Sequence, residues 1–147
     1  MRPLPVPMTV SLAGLLLAGN AVAQSGPDLP IRVVPPAEVV LRQGESAALG
    51  APGSPEALVV SFRRVTSDSR CPRNVQCVWA GEVTVLLTLS GGATGELTLR
   101  LPGSGDVPSA APVGRYRITL RGVTPAPVHG EPQREPIRVR LLIASIP

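Results

Sequence analysis

The stretch Glu82-Val-Thr-Val-Leu-Leu-Thr-Leu89 alternates apolar and polar residues and decides the fold class. Successive side chains of an extended chain point to opposite faces, and the apolar residues sharing one face are Val83, Val85, Leu87 and Leu89. Glu82, Thr84 and Thr88 share the other face, which suits a solvated surface. Residues 90–95 have the composition of a hairpin turn, and residues 96–101 alternate again. This region is therefore predicted to be a half-buried antiparallel hairpin.

The same alternation recurs along the chain in short segments separated by proline and glycine. Further strands are predicted at residues 31–34, 38–42, 45–49, 57–65, 115–121 and 137–143. Residues 43–44 suggest a hairpin turn, and residues 102–114 and 124–135 read as long loops. With 18 prolines, 15 glycines and no helical periodicity, the chain is predicted to be all-β. We expect an antiparallel two-sheet sandwich, roughly immunoglobulin-like, of seven or eight short strands, with a small β-barrel as the alternative.

The beginning of the 147-residue chain has the pattern of a secretory signal. Arg2 precedes a short apolar run at residues 8–18, and Ala21-Val-Ala23 matches a cleavage site. We expect a signal peptide at 1–23 cleaved after Ala23, a flexible lead-in at 24–30 and a single β domain at 31–147. The mature protein would then be periplasmic or secreted by a bacterium, with no transmembrane segment after cleavage.

The net charge argues against one class of function, and the aromatic content indicates what the core is made of. All 14 basic residues are arginine, and the formal net charge is only +4. This is too little for the basic surface that nucleic-acid binding requires, so no nucleic-acid partner is expected. Only Phe62, Trp79 and Tyr116 are aromatic, and the core must therefore be built mainly from aliphatic side chains.

Cys71 and Cys77 are the only cysteines. In an oxidising compartment such a pair favours a disulfide over two free thiols. A zinc site needs about four ligands, and the chain adds only one distant histidine, His129. The spacing also differs from the Cys-x-x-Cys of redox enzymes. We expect a structural disulfide, no metal and no cofactor.

Trp79 lies two residues after Cys77, so the two would share a face on a strand. We expect Trp79 to pack over the disulfide and close one end of the sandwich. The alternative is an exposed aromatic anchor of a binding site. An ion pair of Arg70 with Asp68 or Glu82 is expected to fix the loop rather than to serve catalysis.

The motif from Asp68-Ser-Arg-Cys-Pro72 to Cys77-Val-Trp-Ala-Gly81 resembles the signature of a family of small, uncharacterised exported bacterial proteins, often lipoproteins. Tyr116-Arg-Ile-Thr-Leu120 and Val123-Thr-Pro125 are also similar to that family. The resemblance covers roughly residues 58–125 and implies a class of protein without a known activity. The chain departs from the family in having no cysteine near its cleavage site for a lipid anchor.

Outward arginines on the last two strands form a candidate anion-binding face. If these strands are neighbours, the residues on that face are Arg115, Arg117, Arg121, Arg138 and Arg140. Such a cluster would suit phosphates or acidic glycans of the cell envelope. The simpler expectation is a solvated face whose register keeps the arginines apart.

The sequence favours a non-enzymatic protein, because His129 has no evident catalytic partner and is expected to be an exposed loop residue. The leading hypothesis is that loop 67–81 binds an unknown protein or envelope component, with Asp68, Arg70, Arg73 and Trp79 as candidate contact residues. One alternative is a protease inhibitor that presents Arg73 on the Cys71–Cys77 loop. Another is a purely structural envelope domain.

Overall fold

The computed structural model describes residues 29–102 and 106–147. The predicted signal peptide and all but the last two residues of the predicted lead-in lie outside this part of the chain. All regular structure within the described residues is extended. The strands are β1 Ile31–Val33, β2 Ala37–Arg42, β3 Ser46–Leu49, β4 Leu58–Asp68, β5 Val83–Gly91, β6 Gly95–Leu101, β7 Ala110–Val113, β8 Tyr116–Thr124 and β9 Arg138–Ser145.

The strands form two sheets that pack face to face. One sheet has the order β1-β3-β4-β5-β6 and the other has the order β2-β9-β8-β7. All pairings are antiparallel except that of β1 with β3. The predicted sandwich is confirmed, with nine strands rather than seven or eight and without closure into a barrel.

The core lies between the sheets and consists almost entirely of aliphatic side chains around Phe62. The predicted inward residues of the longest strands are buried, among them Val60, Val85, Ile118 and Leu141. Burial of such side chains contributes roughly 1.5–3 kcal/mol each. This alternation of buried and exposed residues holds two sheets together with few aromatic residues.

The predicted hairpin of β2 and β3 is wrong, because the two strands belong to different sheets. The turn between them is fastened to β4 instead, where the Gly44 amide donates to the Phe62 carbonyl at 2.8 Å. Gly44 has a φ of 91°, which favours glycine. The chain therefore crosses from β9's sheet to β4's sheet at this turn.

Strand β7 was missed because it lies inside a stretch rich in proline, glycine and serine. Pro112 lies within β7, where it is opposite Arg117 of β8. Proline is tolerated there because β7 is an edge strand. Among the described residues, no helix is long and apolar enough to cross a membrane.

Candidate functional site

The loop between β4 and β5 begins with a narrow neck. The Ser69 amide donates to the Glu82 carbonyl at 2.8 Å, and the Cys71 amide donates to the Ala80 carbonyl at 3.1 Å. Gly81 lies across from Ser69 with a φ of 70°, and a Cβ there would overlap the Ser69 carbonyl. The glycine of the motif is therefore required by both backbone conformation and space.

The predicted disulfide joins Cys71 and Cys77, whose Cα atoms are 5.8 Å apart. It closes over a turn in which the Val75 amide donates to the Pro72 carbonyl at 3.3 Å. A crosslink over so short a segment stabilises a fold by about 2–2.5 kcal/mol in the chain-entropy model. The tip of the loop is thus fixed by a covalent bond and a turn, without a core of its own.

Arg70 fastens the base of the loop to the opposite sheet. Its Nε and Nη2 donate to the two carboxylate oxygens of Asp68 at 2.8 and 2.6 Å. The same guanidinium donates to the backbone carbonyls of Val123, at the end of β8, and Pro125. The Arg70 side chain is only 19% exposed. The predicted Asp68–Arg70 ion pair is confirmed, while Glu82 pairs instead with Arg100 at 3.3 Å.

The tip of the loop is fastened to the segment between β8 and β9, residues 125–137. The Asn74 side-chain amide donates to the His129 carbonyl at 3.1 Å, and the His129 amide donates to the Asn74 Oδ1 at 2.8 Å. The Arg73 amide donates to the Pro127 carbonyl at 3.0 Å. These two loops therefore form one continuous surface at this end of the sandwich.

Residues 124–135 were predicted only to be a long loop. One feature of the sequence linked this segment to the cysteine loop, because Val123-Thr-Pro125 is part of the same family resemblance as the cysteine motif. The carbonyls of Val123 and Pro125 are the acceptors that Arg70 reaches. Backbone acceptors leave no trace in residue type, and their role became visible only in the structure.

Trp79 does not close the end of the sandwich, and that expectation is wrong. Its side chain is 81% exposed, and that of its neighbour Val78 is 90% exposed. The path from the loop to the end of β8 is occupied by the Arg70 guanidinium, which is bonded to Val123 there. Val75 is also exposed, so the tip of the loop presents apolar side chains to solvent around a single tryptophan.

Arg73 lies at the edge of a shallow cavity between the two loops. The cavity has a volume of about 160 Å³ and is also lined by Glu131, Arg134 and Glu135. Arg73 belongs to the Pro72–Val75 turn, and its amide is bonded to Pro127. A substrate-like inhibitor needs an extended loop with free backbone groups, so this geometry disfavours the inhibitor hypothesis.

The candidate anion-binding arginines do not form one patch. Arg115 lies in the turn before β8 and pairs with Glu56, whose hydrogen bond and negative charge raise the pKa of the Arg115 guanidinium. Arg117 is opposite Ala144, near the end of β9, whereas Arg138 starts that strand. Arg140 pairs with Glu38 at 3.6 Å. Arg121 occupies a bulge of β8 between the residues that pair with Leu141 and Arg140.

Among residues 29–102 and 106–147, no group of three or more histidine, cysteine or acidic residues is placed to hold a metal ion. His129 is exposed, as predicted. No protein-family model matches the chain, and no curated protein and no solved structure matches it either. The resemblance to small exported bacterial proteins therefore stays a prediction.

Proposed function

We propose that this protein is an exported, non-enzymatic binding module that docks a protein partner of the cell envelope through Trp79. The observation that supports it most directly is the 81% exposure of this tryptophan on a loop whose other parts are fastened. Tryptophan is among the residues that most often dominate the binding energy of a protein interface. Val78 and Val75 extend the same exposed apolar surface.

Five other residues of the cysteine motif besides Arg70 have structural roles within the loop. Asp68 holds Arg70, and Ser69 exchanges hydrogen bonds with Glu82. The two cysteines form the crosslink, and Gly81 allows the close approach of the neck. Trp79 is largely exposed instead, so binding is the role that best explains a large aromatic side chain at this position.

The fastening of the loop also supports binding. Ordering a flexible loop at an interface costs free energy that reduces affinity. Here the disulfide, the Arg70 hydrogen bonds and the Asn74–His129 pair restrain the loop before any partner arrives. A protruding tryptophan on a restrained loop suits insertion into a pocket on a partner protein.

Export is part of the proposal. A disulfide is consistent with an oxidising compartment outside the cytoplasm. The signal-like pattern of residues 1–23 supports cleavage after Ala23 and release to the periplasm or the medium. The partner is accordingly expected among proteins of the envelope or its surroundings.

The test is affinity capture from envelope extracts with the wild-type protein and with Trp79→Ala. We expect one or more proteins to be retained by the wild type and lost with Trp79→Ala, with the melting temperature nearly unchanged. Val34→Ala is the matched control, because Val34 is 86% exposed but lies between β1 and β2. The control should retain the partner.

Three results would count against docking through Trp79. Equal capture by the wild type and Trp79→Ala would show that the contact surface lies elsewhere. Stoichiometric inhibition of trypsin that is lost with Arg73→Ala would favour the inhibitor hypothesis. If neither capture nor inhibition is found, a purely structural domain would be the better account.

A further inference from the structure

A row of polar side chains crosses the outer face of the second sheet at the end nearest the cysteine loop. Arg42 of β2 is directly opposite Arg138 of β9, and Arg138 is directly opposite Thr124 of β8. The preceding residue of β2 and the following residue of β9, Leu41 and Val139, are paired and fully buried. Arg42 and Arg138 therefore point outward on the same face.

This register places two positive charges side by side. The Cβ atoms of directly opposite residues in an antiparallel pair are about 4.5–5.5 Å apart, and like charges in that position are destabilising. The ion pairs found among the described residues include neither Arg42 nor Arg138. The carboxylate of Glu45 accepts a hydrogen bond from the Arg42 backbone amide at 2.7 Å rather than pairing with its guanidinium.

The next row of the same face provides the contrast. Arg140 is opposite Val40 and Gly122. Its guanidinium pairs with Glu38, on β2, at 3.6 Å. A Cβ at Gly122 would come within 3.2 Å of the Arg140 guanidinium. The sheet thus balances the charge of Arg140 with a carboxylate and leaves the Arg42–Arg138 pair without one.

We propose that Arg42, Arg138 and Thr124 form a binding site for a phosphate group. Two guanidinium groups supply paired N–H donors that match phosphate oxygens, and the threonine hydroxyl supplies another donor. A phosphate monoester carries a charge of about −1.5 to −2 near pH 7, which would offset both arginines at once. Arg42 is exposed and Arg138 is half-buried, so the row is open to solvent.

The site is independent of the docking role of Trp79, although it borders the same loop. Thr124 stands between Val123 and Pro125, whose carbonyls accept hydrogen bonds from Arg70. Strand β8 therefore carries the anchor of the loop on its backbone and one side of the phosphate site on a side chain. A phosphorylated ligand bound here would contact neither Arg70 nor Trp79 as part of the proposed site.

The test is a titration of the purified protein with inorganic phosphate, against chloride at the same ionic strength, followed by melting temperature and calorimetry. We expect phosphate to raise the melting temperature of the wild type. Arg42→Gln and Arg138→Gln should each weaken phosphate binding about tenfold or more, because each removes charge-assisted hydrogen bonds. Arg117→Gln, on β8 and distant from the row, should bind like the wild type.

A second measurement distinguishes a specific phosphate site from non-specific attraction of phosphate to exposed arginines. Without phosphate, Arg42→Gln should melt at the same temperature as the wild type or higher, because the repulsion from Arg138 is relieved. A phosphate effect of equal size in the wild type and both glutamine variants would overturn the proposal. A fall in melting temperature on removing either charge in phosphate-free buffer would also overturn it.

Free phosphate and a phosphorylated lipid headgroup share this chemistry, and vesicles distinguish them. Binding to vesicles containing phosphatidic acid, but not to vesicles of phosphatidylcholine alone, would assign the site to a membrane headgroup if Arg138→Gln abolishes it. Binding of free phosphate without vesicle binding would support the site with a soluble phosphorylated ligand. Absence of both would contradict it.

Discussion

The two ends of the sandwich differ in the exposure of their aromatic residues. At the cysteine-loop end, Trp79 is 81% exposed, whereas at the other end Tyr116 is 5% exposed. Tyr116 starts β8, packs into the core and lines a shallow cleft with Leu58 and Val113. The same type of side chain therefore closes the core at one end and protrudes from it at the other.

The difference lies in how each end is held together. The Tyr116 end is held mainly by apolar burial, with an exposed ion pair of Arg115 and Glu56 at its rim and backbone hydrogen bonds such as that from the Ile146 amide to the Arg115 carbonyl. The cysteine-loop end is held by a disulfide and by hydrogen bonds from Arg70 and Asn74. Because polar and covalent bonds hold the loop, its apolar side chains have no packing role and stay exposed to solvent.

The largest expected effect is at the apolar end. Tyr116→Ala should lower the free energy of unfolding by about 3 kcal/mol, because it leaves a cavity beside Leu58 and Val113. Urea denaturation followed by circular dichroism measures this change. Tyr116→Phe is the matched control and should cost less than about 1 kcal/mol. A loss below that level for Tyr116→Ala would show that Tyr116 does not close this end.

The next effect concerns the covalent fastening of the other end. The double variant Cys71→Ser/Cys77→Ser should lower the free energy of unfolding by about 2 kcal/mol, because the unfolded chain regains the entropy of the open loop. Hydrogen exchange should increase at residues 69–81 while β8 and β9 stay protected. An unchanged stability together with unchanged exchange in the loop would mean that the disulfide does not fasten this end.

A smaller effect is expected from the polar fastening. Arg70→Ala should cost about 1.5 kcal/mol, because it removes the charge-assisted pair with Asp68 and leaves the Val123 and Pro125 carbonyls without their donor. Arg73→Ala is the control, since its backbone amide keeps the bond to Pro127, and it should change stability by less than about 0.5 kcal/mol. Equal effects of the two substitutions would remove Arg70 from its anchoring role.

The alternation of apolar and polar residues predicted most of the strands and the sandwich. The features that it could not predict depend on contacts between residues far apart in sequence. A buried face such as Val83, Val85 and Leu87 is a local property, so the strands and the sandwich could be predicted. Strand pairing is not local, and the turn at Gly44 led to the other sheet instead of to a hairpin because its amide bonds to Phe62 of β4. The proline in β7 concealed an edge strand that pairs on one side only.

The candidate site was predictable to a similar degree. The disulfide and the Asp68–Arg70 pair join residues close in sequence. The disulfide was predicted from the two cysteines and the expected export, and the ion pair was one of two predicted for Arg70. The contact of Arg70 with the Val123 carbonyl spans 53 residues, and neither this contact nor the exposure of Trp79 could be read from a pattern in the loop. Arg42 was overlooked as a charged neighbour because its position opposite Arg138 depends on the pairing of the first long strand with the last.

The smallest effect on stability is expected at Trp79, the residue that we propose contacts the partner. Trp79→Ala should change the free energy of unfolding by less than about 0.5 kcal/mol, because its side chain is largely in water in the folded protein. The same substitution in a core would cost about 3–5 kcal/mol. A loss of that size would mean that the tryptophan is packed inside the protein.

The most direct test of the central claim is the fluorescence of the folded protein, because Trp79 is the only tryptophan. A side chain exposed on a fastened loop should emit at nearly the same long wavelength in the native and the urea-unfolded protein. Acrylamide should quench it with similar efficiency in both states. A native emission strongly shifted to shorter wavelength and protected from acrylamide would contradict the account, because Trp79 would then close the sandwich instead of presenting a binding surface.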